Sequence, residues 1–151
     1  MITKLIASLN WVLGTIALLG ALLASTIIDW TFVQQHREVV VQNVAAIVKA
    51  QKGVFAQKET YVLFGRDEMV SGFQKLKLDM FTDDFSYEAF REPNGDFVIR
   101  GMTNESGVRN SKIPPFIYRH AIPADGSGDV QAFVDLSDKH RGLAISDLFS
   151  F

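Results

Sequence analysis

The chain has 151 residues, with 15 Lys and Arg against 17 Asp and Glu for a net charge of −2, so it carries no basic surplus for nucleic acid. Cysteine is absent, which excludes disulfides, thiolate nucleophiles and cysteine-ligated zinc or iron–sulfur centres. Hydrophobic residues make up 48% and are unevenly placed, because no residue from Leu5 to Ile28 is charged.

That run reads LIASLNWVLGTIALLGALLASTII. A helix of about 20 residues crosses the roughly 30 Å hydrocarbon core of a bilayer. Trp11 and Trp30 are separated by that length and are placed to sit in the two interfaces, where indole rings concentrate. A membrane-spanning helix over about residues 8–30 is therefore expected, within an anchor of residues 1–33. The run is longer than the 7–15 apolar residues of a cleaved signal peptide, and Leu22 stands where a cleavage site before Ser25 would need a small residue. An uncleaved signal anchor is the expectation. Lys4 lies before the run, whereas Asp29 follows it and Arg37 comes later. The positive-inside rule then places residues 34–151 outside the cytoplasm, in the periplasm of an inner-membrane protein. Within the span, Asn10, Gly14, Ala17, Ala21 and Ala24 recur at helical spacing on one stripe. Small residues let two helix backbones approach, and a polar one can bond across the contact. The stripe predicts docking on the helices of other transmembrane subunits, with the lipid bilayer as the remaining partner. Histidine and acidic groups are missing from the core of the span, so it offers no haem or chlorin ligand and no proton relay.

Beyond the membrane, Val40, Val44, Ile47, Gln51, Phe55 and Val62 keep a helical rhythm from Val33 to Phe64, and Gly65 supplies a stop. No proline interrupts the chain before Pro93, so the membrane helix is expected to run on into this one. Met69, Phe73, Leu76 and Met80 predict a second short helix over Met69–Phe81. The pattern then changes to alternation. Phe85–Phe90 and Phe97–Met102 flank Pro93-Asn94-Gly95-Asp96, a strong hairpin signal. Phe116–Ile122 and Val130–Leu136 form a second pair around Ala124–Asp129. Thr103–Pro115 is polar and reads as a loop, and Arg141–Phe151 is an apolar tail. The fold class is α+β: a long helix followed by an antiparallel meander.

This layout resembles the type IV pilins and pseudopilins, in which an N-terminal membrane helix continues into the domain and packs on a four-stranded antiparallel sheet. The resemblance covers most of the chain and implies that architecture. Met1-Ile2-Thr3-Lys4-Leu5-Ile6 has neither the glycine of that family's prepilin peptidase site nor the glutamate that follows it, so the resemblance extends to fold and not to processing.

Chemistry is sparse. His36, His120 and His140 lack a second ligand type at metal spacing. His36 reads as an interfacial polar residue, His120 as an exposed strand residue and His140 as part of a solvated charge run. Asp125-Gly126-Ser127-Gly128-Asp129 imitates the start of a calcium loop. Val130 and Leu136 occupy the positions where an EF-hand needs glycine and glutamate, so a hairpin loop fits better. Asp79, Asp83 and Asp84 suit a solvent-facing helix end. No Gly-x-Ser-x-Gly, Walker or dinucleotide motif occurs. The expectation is a protein that is not an enzyme and carries no cofactor. Two roles fit: a non-catalytic, single-span accessory subunit of a respiratory or photosynthetic membrane complex, or a pseudopilin-like component of a pilus or secretion apparatus.

Overall fold

The computed structural model describes residues 2–80 and 83–136, with side chains from residue 14 onward. The chain divides into two units, one ending at His36 and the other starting at Arg37. One helix, α1, runs Ile2–Lys58. Residues 14–31 of it are exposed throughout, with Asp29 the one charged residue among them.

In the second unit, α1 buries Val40, Val44, Ile47, Val48 and Gln51, the 4-3-4 spacing of a one-sided helix with Val48 beside it. The helix ends at Lys58 rather than near Gly65, and Glu59 takes a left-handed φ of 54°. The reason lies in the partners that the chain finds beyond it. The Gln51 amide donates to the Val62 carbonyl at 2.7 Å and accepts from the Val62 N–H at 2.9 Å. Phe64 exchanges both backbone bonds with Ala89 at 2.9 Å. Backbone groups satisfied outside a helix have no need to continue it. Phe55 is accordingly not in the core; it stacks on Tyr61 at 4.5 Å, which stacks on buried Phe97 at 4.0 Å.

A 3₁₀ turn, Arg66–Glu68, leads into α2, Met69–Leu76, shorter than the Met69–Phe81 expected. Lys77 ends it at φ 55°, with Lys77 N–H bonded to the Gln74 carbonyl and Leu78 N–H to the Phe73 carbonyl. That is a Schellman closure built without its usual glycine, so no residue type advertised it. Gly72, which looked like a weakness, lies where α2 meets the Phe64 ring, and a Cβ there would collide with it.

The sheet is an antiparallel meander in the order β1-β2-β3-β4, with β1 Phe85–Arg91, β2 Phe97–Thr103, β3 Phe116–Ile122 and β4 Val130–Asp135. Both expected hairpins form. At the first, Gly95 N–H bonds the Glu92 carbonyl and Gly95 sits at φ 93°, a turn followed by a left-handed glycine. The segment expected as a plain loop contains a short helix, α3, Glu105–Arg109, whose N-cap Asn104 accepts from Gly107 N–H at 2.8 Å. Phe85, Tyr87, Ala89, Phe97, Ile99, Gly101, Thr103, Phe116, Tyr118 and His120 form the buried face beneath α1. Gly101 is the seat of the helix: a Cβ there would stand 2.6 Å from Val40 Cγ1 and 3.0 Å from the Tyr87 ring. The tail Arg141–Phe151 and His140 lie outside the described residues.

Candidate functional site

Among the described residues, one helix is long and apolar enough to cross a membrane. Its apolar side chains are exposed. Ile28 and Trp30 are 67% and 66% exposed, and Ile16, Leu18, Leu19, Leu22, Leu23 and Ile27 are similarly open. Ser25 Oγ donates to the Leu22 carbonyl at 2.9 Å, Thr26 Oγ1 to the Leu23 carbonyl at 2.9 Å and Thr31 Oγ1 to the Ile27 carbonyl at 2.8 Å. A hydroxyl folded onto its own helix leaves no donor wanting water, which hydrocarbon could not supply. Gly14, Ala17, Ala21 and Ala24 fall on one stripe of this helix, and nothing lies within 4 Å of a Cβ added at Gly14. Asn10 and Trp11 lie on the helix, and their side chains are outside those described.

In the second unit the polar side chains cluster in two places. On the sheet face away from α1, the cross-strand row Glu88, Arg100, Arg119 sets two arginines opposite each other. Each finds a carboxylate: Arg100 Nε lies 2.7 Å from Glu88, and Arg119 donates to Glu92 at 2.8 Å. Arg66 approaches Glu88 at 3.7 Å, and the Arg100 guanidinium lies over the Phe90 ring at 4.4 Å. A shallow cavity of about 260 Å³ adjoins this row, lined by Leu63, Phe64, Glu68, Glu88, Phe90 and Arg100 among others. Of its charged lining residues, Glu88 and Arg100 pair with each other.

The second cluster lies between α1, β3 and the β3–β4 loop. His120, expected on the exposed face, is buried. Strand alternation decides this, because His120 shares the face of Phe116 and Tyr118, and the polar identity of histidine yields to that register. Its Nε2 lies 2.9 Å from Asp129 Oδ2, and Lys52 Nζ donates to the same oxygen at 2.7 Å. These contacts, the Lys52 bond foremost, hold the Asp129 carboxyl below its ordinary range against the opposing effect of desolvation. Asp125 is also lowered, by the Ser127 hydroxyl and N–H, so the calcium-like loop satisfies its own carboxylate. At the far end of β4, Arg37 pairs with Asp135 at 3.0 Å and lies 5.4 Å from the Phe133 ring centre. Burial pushes the Tyr87 hydroxyl up to about 12, although it accepts from Asn43 at 2.8 Å. His36 sits apart in the first unit, with Nδ1 2.8 Å from the Phe32 carbonyl and its ring against Phe32. Asp84 accepts from the Ser111 hydroxyl at 2.6 Å. Among the described residues, no group of three or more His, Asp or Glu side chains is arranged to hold a metal ion.

No protein family model, curated protein or solved structure matches this chain.

Proposed function

We propose that the chain is a single-span, non-catalytic accessory subunit of a multi-subunit integral membrane complex of the respiratory or photosynthetic type. It resides in the inner membrane, with residues 34–151 on the periplasmic side. The observation that carries this reading is the all-round exposed apolar helix whose hydroxyls are bonded back onto their own carbonyls. Such a surface is satisfied in lipid and against other transmembrane helices, and is satisfied nowhere in water. The stripe Asn10, Gly14, Ala17, Ala21, Ala24 is the docking face, and Trp11 and Trp30 set its depth.

The test is retention through a mild-detergent gradient. Native material should co-migrate with other membrane-embedded chains, identifiable by mass spectrometry. Ala21→Leu and Gly14→Leu add apolar bulk, so insertion persists while close backbone approach is lost, with helix contacts worth about 0.6–2 kcal/mol each. Leu19→Ile, on the opposite side of the helix, is the control. Equal retention of stripe and control variants refutes docking through these residues.

A second reading is favoured by one observation: a long N-terminal helix packed on a four-stranded antiparallel meander is compatible with a pilin-like architecture. In that case the chain is a pseudopilin-like component of a pilus or secretion apparatus. Intact mass separates the two, since an accessory subunit retains Met1 and a pseudopilin is shortened and N-methylated.

A further inference from the structure

Of the chain's five asparagines, Asn94 is the one followed by glycine, and it stands at the tip of the β1–β2 hairpin. A glycine has no Cβ to keep its backbone nitrogen away from the side-chain carbonyl before it. The Gly95 nitrogen can therefore reach Asn94 Cγ whenever the turn is open. Asn94 is exposed, so water has access to it.

The closed turn works against that attack. Gly95 N–H donates to the Glu92 carbonyl at 2.9 Å, and Glu92 N–H donates to the Asp96 carbonyl at 2.9 Å. Gly95 is fixed at φ 93°, and its carbonyl accepts from Arg91 Nη1 at 2.9 Å. The Asn94 side chain is held as well. Its Oδ1 accepts from Asp96 N–H at 3.1 Å, and its Nδ2 donates to Asp96 Oδ2 at 2.9 Å. Asp96 is anchored in turn, since its Oδ1 accepts from Ala124 N–H at 3.0 Å. Attack requires the Gly95 nitrogen to leave Glu92 and the Asn94 side chain to leave Asp96. Both happen together when the hairpin tip opens, and an exposed tip opens far more often than a core.

We propose that Asn94 is a site of spontaneous modification to aspartate and isoaspartate, with opening of the β1–β2 turn setting its rate. The Gly95 nitrogen bonds to Asn94 Cγ, the Cγ–Nδ2 bond breaks, and Nδ2 departs as ammonia with the proton lost by Gly95. Water then opens the cyclic imide at either carbonyl. One opening gives aspartate. The other gives isoaspartate, in which the main chain runs through the former side chain. Neither step needs an oxidant or a cofactor. Both products change the turn. In aspartate, an acceptor replaces the Nδ2 donor beside Asp96 Oδ2. Isoaspartate adds a methylene to the main chain inside the turn that the Gly95–Glu92 bond closes. The join from Asp96 to Ala124, which ties this turn to the β3–β4 loop, weakens with it.

The test follows the full chain in detergent micelles at mildly alkaline pH, beside the same chain unfolded in urea. Fragmentation mass spectrometry that separates isoaspartate from aspartate reads the asparagines over time. Reaction through an open state scales with the population of that state. Both products should appear at Asn94 in both samples, at least about tenfold more slowly in the folded chain. In urea, Asn94 should outpace Asn43, Asn104 and Asn110. Asp96→Ala removes the acceptor of Asn94 Nδ2 and of Ala124 N–H and leaves Gly95 in place. Its folded rate should rise at least about threefold toward the urea rate. Equal folded and unfolded rates in the parent, or no product at Asn94 in the folded chain, overturn the proposal. Aspartate without isoaspartate means direct hydrolysis of the amide without Gly95, and overturns it too. An Asp96→Ala rate equal to the parent's shows that these bonds do not hold the turn, and overturns it as well.

Discussion

Gln51 is the polar member of the stripe that α1 buries, and its replacement measures what ends that helix. The side chain is fully buried and holds both backbone groups of Val62, at 2.7 and 2.9 Å. Gln51→Leu keeps the volume and removes both bonds. An unsatisfied buried backbone group costs about 1–3 kcal/mol. Val62 is only half-buried, which lowers that cost, and a buried leucine returns part of it as apolar transfer. The expected loss is about 2 kcal/mol, or roughly 8–16 °C in Tm for a domain of about 100 residues.

The assay is thermal unfolding of the full chain in detergent, followed by the near-ultraviolet circular dichroism of its tyrosines. Gln42→Leu is the control, because Gln42 is exposed and bonds only to Glu38 on its own helix. Gln51→Glu sharpens the test. Its ionised carboxylate accepts from the Val62 N–H but confronts the Val62 carbonyl with another acceptor, so only the protonated form restores the donor. The Glu variant should therefore approach the parent as the pH falls and lose stability as the pH rises through its raised pKa. A Gln51→Leu chain as stable as the Gln42→Leu control would refute the idea that this amide fastens the segment after α1.

Gly101→Val places a branched side chain where even a Cβ stands 2.6 Å from Val40; overpacking of this kind costs about 1–3 kcal/mol, read as a lowered urea midpoint. Asp129 binds its proton more weakly folded than unfolded, so its contribution is present above the ordinary carboxylate pKa of about 4 and is lost as the pH falls below it. Asp129→Asn should flatten that acid limb in Tm measured between about pH 2 and 6, by no more than about 1 kcal/mol because Lys52 is exposed. Protease added to intact spheroplasts should digest residues 34–151; digestion only after lysis would reverse the proposed orientation.

Much of the fold was legible because its strongest signals are periodic. Alternation located all four strands and a turn signal located the first hairpin, and the 3.6-residue rhythm of Val40, Val44, Ile47 and Gln51 identified the face that α1 buries. What escaped notice lacks a periodic signature. The ends of α1 and α2 depend on Gln51 reaching Val62 and on Lys77 adopting a left-handed φ, and neither residue type announces a helix end. Asn104 was a readable signal, an N-cap three residues before Gly107, but five residues are too few for a helical rhythm. His120 is buried although its residue type favours the surface, because Phe116 and Tyr118 on the same strand face set its register.

The polar clusters illustrate a further limit. Lys52, His120 and Asp129 stand 77 and 9 residues apart in their pairings, so no local pattern links them, and they meet only once the register of β3 against β4 is set. The long apolar helix is the opposite case, because its character is carried by every residue at once and needs no tertiary contact to be read. That contrast explains why location is the better-supported half of the functional reading. A span is defined by solvent, which acts on each side chain independently. A docking partner is defined by shape, and Gly14, Ala17, Ala21 and Ala24 specify only that a neighbour can come close. Which neighbour comes is decided by the surface facing them, so the stripe variants test proximity, and the co-migrating chains must supply the identity.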